Sequence, residues 1–223
     1  MVLLYIKEDK KQYNMADIKK WEDYDTIVCP NGQEIDMQAL LDDQERAKAA
    51  LVHLCPFFGE FIGKLRPVYT FRIETQATDG KDLLINPQFT YNLDFSQKVF
   101  VLAHEIMHCV LNHMRRAKNL GITPQQANIA ADYECNISLA KDAGSDGLGI
   151  ISIGTMQKTK AYVDKKYAGW GFERIYADCK GQYSDTQDNS MQGGDNIQQV
   201  ADADYIKGWN QAIADWKAGK LKL

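Results

Sequence analysis

The sequence predicts an α+β fold, with strand-forming runs early in the chain and helices after them. Three features point there: a hairpin pattern around Asp79-Gly80, a helix after Asp94 that is apolar on nearly every face, and a second capped helix opening at Pro124. Residues 1–36 form an N-terminal extension with no role legible in it. Within it VLLYI reads as a strand, and TIVC as a strand ending in the Pro30-Asn31-Gly32 turn. From Met37 to Lys64 the apolar residues Leu40, Leu41, Ala47, Leu51, Leu54 and Phe58 recur near helical spacing, with Pro56 and Gly59 kinking or dividing the helix. PVYTFRIETQA and DLLIN, on either side of Asp79-Gly80, read as one β-hairpin over 67–86, which Pro87 ends.

Asp94 or Ser96 caps the next helix, which meets neither Gly nor Pro until Gly121. Val99, Phe100, Val101, Leu102, Ile106, Met107, Val110 and Leu111 cover nearly every face of its middle, so it is expected at the centre of the domain. Pro124 opens a further helix to about Asp142, with Gly144 beyond its end. Residues 145–177 read as loop and short elements, and 178–200 as a flexible linker without apolar period. The remaining residues, 201–223, hold a last helix whose Tyr205, Trp209, Ile213 and Trp216 form a packing stripe suited to a partner domain or protein.

The bulk properties exclude several classes. The chain has 223 residues, 45% hydrophobic and 25% charged, as in an ordinary globular protein. A net charge of −4 steers it toward neither nucleic acid nor anionic membrane. Arg115, Arg116 and Lys118 read as a solvated helix end. Five scattered cysteines (Cys29, Cys55, Cys109, Cys135, Cys179) include no CxxC pair, which argues against a disulfide framework and a zinc knuckle and for a reducing, cytoplasmic setting. MVLLYIKEDKK is too short in apolar residues for a signal peptide, and no later run reaches membrane-spanning length.

The chemistry lies in HEIMH, residues 104–108. His104 and His108, one turn apart, can reach a single ion, and Glu105 between them can polarise a water on it, which is the zinc metallohydrolase signature. Burying two histidines and a glutamate in an apolar helix is costly without strong partners, and a metal ion supplies them. Catalytic zinc usually takes three protein ligands. On an unbroken helix His113 points roughly 180° from His104 and 140° from His108, so it is expected in a supporting or surface role. On the helix from Pro124 the apolar stripe is Ile129, Tyr133, Ile137 and Ala140. Asp132 lies toward it, Asn136 falls inside it, and Glu134 projects to solvent. Asp132 is therefore the expected third ligand, and Asn136 the residue that orients Asp132 or a histidine. Substituting His113 or Glu134 is then expected to leave metal binding nearly unchanged. The competing reading is a buried aspartate bonded to a backbone amide or an arginine.

HEIMH followed by NHMRR, with NIAADYECN downstream, TDGKDLLINPQF before and WGFERIYADC after, resembles the bacterial and phage metallopeptidase-domain family often joined to a von Willebrand A-like domain. The resemblance covers roughly residues 37–178, with an echo in the last helix. It implies a zincin-like domain over 37–177, a small mixed sheet packed on a buried active-site helix and further helices, with His104, His108 and Asp132 as zinc ligands.

The expected function is a zinc-dependent peptidase acting on a peptide or protein, with Glu105 as general base. Tyr133, Tyr162 and Tyr167 are oxyanion-stabiliser candidates by residue type, and the hairpin edge could receive an extended peptide. Two other readings remain: a binding or regulatory module with structural zinc, and a metal-dependent hydrolase of a non-peptide amide. Glu105 favours catalysis, since structural zinc needs no base.

Overall fold

In a computed structural model, residues 3–5, 12–14, 24–142 and 148–180 are described. The last helix expected in 201–223, and all but the start of the 178–200 linker, lie outside them.

The early strands form an antiparallel sheet. β1 (Leu3–Tyr5), β2 (Gln12–Asn14), β3 (Thr26–Val28) and β4 (Glu34–Asp36) stand in the order β2-β1-β3-β4. Gly32, at φ +85°, makes the turn between β3 and β4 where Pro30-Asn31-Gly32 predicts one. Asp36 then accepts from the Ala39 N–H and caps α1 (Met37–Leu54). Met37, Leu40, Ala47 and Leu51 of α1 are buried. The helix stops before Pro56, and the expected division yields a 3₁₀ turn (Pro56–Phe58) and α2 (Gly59–Ile62).

The next run corrects the single-hairpin reading. It supplies two strands, β5 (Arg66–Tyr69) and β6 (Gln76–Thr78), on opposite edges of β7 (Asp82–Ile85), in the order β5-β7-β6. β5 runs parallel to β7, and only β6 forms the antiparallel hairpin through Gly80 at φ +88°. Asn86 ties down the intervening loop: its side chain donates to the Ile73 carbonyl at 2.6 Å and its N–H to the Thr75 carbonyl at 2.9 Å. Asn86 also caps α3 (Pro87–Tyr91).

α4 (Phe95–Val110) begins with a reciprocal capping box between Asp94 and Gln97. It is buried along nearly its whole length, as an all-round apolar helix should be. Even Lys98 is 5% exposed, its ammonium paired with Asp43 of α1. The helix does not continue to Gly121. It ends at Leu111, Asn112 adopts the left-handed conformation (φ 56°, ψ 39°), and α5 (His113–Leu120) sets off in a new direction. Asparagine is among the few residues besides glycine that tolerate this conformation. Asn112→Gly should therefore leave stability within a few tenths of a kcal/mol or improve it, whereas Asn112→Val should cost about 1–2 kcal/mol in chemical denaturation. Equal stability of the two variants would contradict the corner.

α6 (Pro124–Leu139) starts with a second capping box, Thr123 with Gln126. It ends three residues short of Asp142, where Ala140 bridges to Ile151. α7 (Ile153–Lys158), a 3₁₀ turn (Lys165–Tyr167) and α8 (Phe172–Cys179) follow. α8 is a full helix where short elements were expected, and it runs past residue 177.

Two apolar cores result. The larger joins the β3–β4 hairpin, α1, the mixed sheet and α4. The smaller contains Ala117, Ala127, Ala130, Ala131, Tyr167, Phe172, Ile175 and Cys179. α6 belongs to both, since its Cys135, Leu139 and Ala140 lie in the larger core. The fold is α+β, and no helix among the described residues is long and apolar enough to cross a membrane.

Candidate metal centre

α4 and α6 pack together and bring their polar residues face to face. His104 Nε2 and His108 Nε2 lie 3.0 Å apart. Asp132 Oδ1 sits 3.5 Å from the first and 3.3 Å from the second. His104 and Asp132 are buried, at 6% and 1% exposure. Asp132 Oδ2 is buried with no hydrogen-bond partner among the described residues.

The hydrogen bonds behind the histidines define which atoms carry protons. Asn136 donates its Nδ2 to the Tyr162 carbonyl at 2.8 Å, so its Oδ1, 2.7 Å from His104 Nδ1, accepts from that ring. His104 Nε2 is then the ring atom aimed at the cluster, where a bound metal would replace its proton. Three potential ligand atoms thus converge with spacings of 3.0–3.5 Å. Ligand atoms about 2.0–2.1 Å from a tetrahedral ion are about 3.4 Å apart, so the residues present fit a metal ion of zinc's size.

Electrostatics follow from burial and proximity. Burial acts to lower His104, but hydrogen bonding and charge from Asp132 outweigh it and carry it up to about 9. Burial lowers His108, against a partial pull from Asp132. For Asp132, burial would raise the carboxyl, yet His104 and His108 hold it well below the usual carboxylate range. Burial pushes Glu105 up to about 7, opposed by His104.

Cys135 is a neighbour that sequence spacing did not single out. The ligand atoms of His104, His108 and Cys135 also lie within 4.8 Å of one another. Burial raises this thiol well above its ordinary range, so without a metal it stays protonated. Asp132 Oδ1 lies 3.3–3.5 Å from both histidine nitrogens, and its carboxyl is held ionised.

His104, Glu105, His108 and Asp132 line a cleft of about 440 Å³. Across it runs β6. The Asn86 N–H to Thr75 carbonyl bond (2.9 Å) and the Asp79 N–H to Asp82 carbonyl bond (3.3 Å) set the ladder's phase. By alternation, the N–H and C=O of Gln76 and Thr78 face away from β7, on the cleft side. Met114, Ala117, Ile122 and Ala131 form apolar wall on the far side.

Several expectations change. Glu134 is buried, not solvent-facing, and its Oε2 lies 2.7 Å from His113 Nε2 and 2.8 Å from Arg116 Nη1. Arg116 is not a solvated helix end: it also grips Glu173 of α8 at 2.7–2.8 Å. His113 is 3% exposed, and the Asn112 corner places its Nδ1 3.1 Å from His108 Nδ1. The three tyrosines do not line the cleft. Tyr133 packs at a tilt against Tyr162 and Tyr167, and the Tyr167 hydroxyl donates to Asp178. None of the five cysteines forms a disulfide among the described residues.

A family model described as "Putative metallopeptidase domain" matches residues 41–220. The chain belongs to this metallopeptidase-domain family. The match begins in α1 and takes in both helices of the cluster, the hairpin beside it and α8, and it continues across the 178 and 201 boundaries read from sequence. No curated protein and no solved structure shows a significant match to the chain. In this member of the metallopeptidase-domain family, the metal-capable cluster and Glu105 therefore rest on the chain's own geometry.

Proposed function

We propose that the protein is a zinc-dependent peptidase with a zincin-like catalytic centre, in which His104, His108 and Asp132 hold the metal and Glu105 is the general base. The observation that carries this reading is the convergence of three potential ligand atoms, 3.0–3.5 Å apart, in a cleft that Glu105 also lines. Bound there, zinc would acidify a water and polarise a carbonyl. Asn136 holds the His104 ring with its Nε2 inward, the atom that would bind the metal. Glu105, raised toward neutrality by burial, takes the proton from the attacking water and returns it to the leaving amine. An extended peptide pairs with the outward backbone groups of Gln76 and Thr78, which positions a scissile bond over the cluster. The apolar wall of Met114, Ala117, Ile122 and Ala131 favours an apolar substrate side chain beside that bond.

The test combines elemental analysis of purified protein with cleavage of a diverse peptide library. The expected result is about one zinc per chain and hydrolysis that a chelator stops and added zinc restores. Zinc without cleavage of any peptide would favour the binding-module reading. Absence of zinc even after reconstitution would overturn the metal centre itself.

A further inference from the structure

The proposed centre leaves His113, Glu134, Arg116 and Glu173 unexplained, although burying such a string of polar groups is costly. Their geometry orders them into one chain. From the cluster outward run His108 Nδ1 to His113 Nδ1 (3.1 Å), His113 Nε2 to Glu134 Oε2 (2.7 Å), Glu134 Oε2 to Arg116 Nη1 (2.8 Å), and Arg116 to Glu173 (2.7–2.8 Å).

Arg116 can only donate, so it holds Glu134 as an accepting carboxylate. Glu134 can then only accept, which places the His113 proton on Nε2. His113 Nδ1 is left as an acceptor, and the neighbours within reach of it are His108 Nδ1 and, at 3.8 Å, the Cys135 thiol, which can donate as well. His108 must therefore carry its proton on Nδ1 and turn a bare Nε2 toward His104 and Asp132. The opposite tautomer of His108 would leave no proton between the two Nδ1 atoms, whereas the Nε2 atoms of His104 and His108 face the cluster that a metal would fill.

We propose that Arg116, Glu134 and His113 form a proton-ordering relay that holds His108 in the tautomer a metal requires, making His113 a positioning residue of the metal centre. This rests on the metal-centre reading above and adds an outer support that the motif alone does not contain. It also reverses the expectation that His113 and Glu134 are irrelevant to metal binding. Asn112 is essential to the arrangement, because a straight helix would carry His113 away from His108. Arg116 secures the corner as well, donating to the Leu111 carbonyl at 3.1 Å.

Two measurements test the relay. In metal-free wild type, ¹⁵N NMR of the imidazoles should show His108 protonated at Nδ1 and His113 at Nε2; His113 protonated at Nδ1 would overturn the proposal without any variant. The second is zinc affinity by chelator competition. His113→Leu should bind zinc roughly 10- to 100-fold more weakly. His113→Gln, whose amide can accept from His108 and donate to Glu134, should recover most of that loss. Wild-type affinity in His113→Leu, or a His113→Gln as weak as His113→Leu, would overturn the relay while leaving the metal centre standing. Failure of wild type itself to bind zinc would overturn both.

Discussion

Glu105→Gln is expected to keep its metal and lose at least about a hundredfold in peptide hydrolysis, the low end for removal of a general base. Glutamine preserves the shape and burial of a side chain 6% exposed, so folding and the cleft should be unchanged. It cannot accept a proton, so the attacking water is no longer activated. The glutamate lies about 100° around α4 from His104 and lines the cleft, so its loss should not release the ion. Metal content and kcat measured on the same preparation check both halves. Zinc loss in the variant would make Glu105 a ligand, and undiminished hydrolysis would remove it from the mechanism.

The paired substitution His104→Ala/His108→Ala should abolish zinc binding outright, and Asp132→Ala should weaken it strongly. In the double variant Asp132 also loses the two histidines that hold its charge in the core. Because a ligand present at about a hundred times its Kd adds ~2.7 kcal/mol to folding, the loss should appear as a fall of roughly 5–10 °C in Tm relative to the zinc-loaded wild type. Chelating the wild type should produce much of the same fall. Retention of zinc by Asp132→Ala, with loss in a Cys135→Ala variant, would transfer the third position to the thiol.

What was legible in the sequence follows from how local each cause is. α4 was legible because its burial depends on its own all-round apolar surface, and Asn136 because a polar residue inside an apolar stripe must have a partner. Glu134 was misplaced because the wheel assumes one buried face. α6 lies between α4 and α8, and α8, unrecognised as a helix, removes the solvent face. The corner after Leu111 escaped notice because no glycine marks it, although Asn112 was the residue able to make it. β5 and β6 merged into one strand because alternation of side chains is the same for parallel and antiparallel pairing. The relay depended on all of these long-range facts, so the motif displayed two candidate ligands and a candidate base but not the groups behind them.

The division of the apolar interior into two cores has a dynamic consequence. The smaller core, in which four of the eight buried residues are alanines and Ile122, Tyr133, Trp170 and Tyr176 pack partly buried against it, is much smaller than the other and the readier of the two to open locally. A metal held between α4 and α6 would rivet this subdomain to the larger one at the seam. Amide hydrogen exchange should then report two cooperative units. On chelation, protection in α5 and α8 should collapse toward the rate of local opening, while that of α1 and β7 should keep the slow exchange of global unfolding.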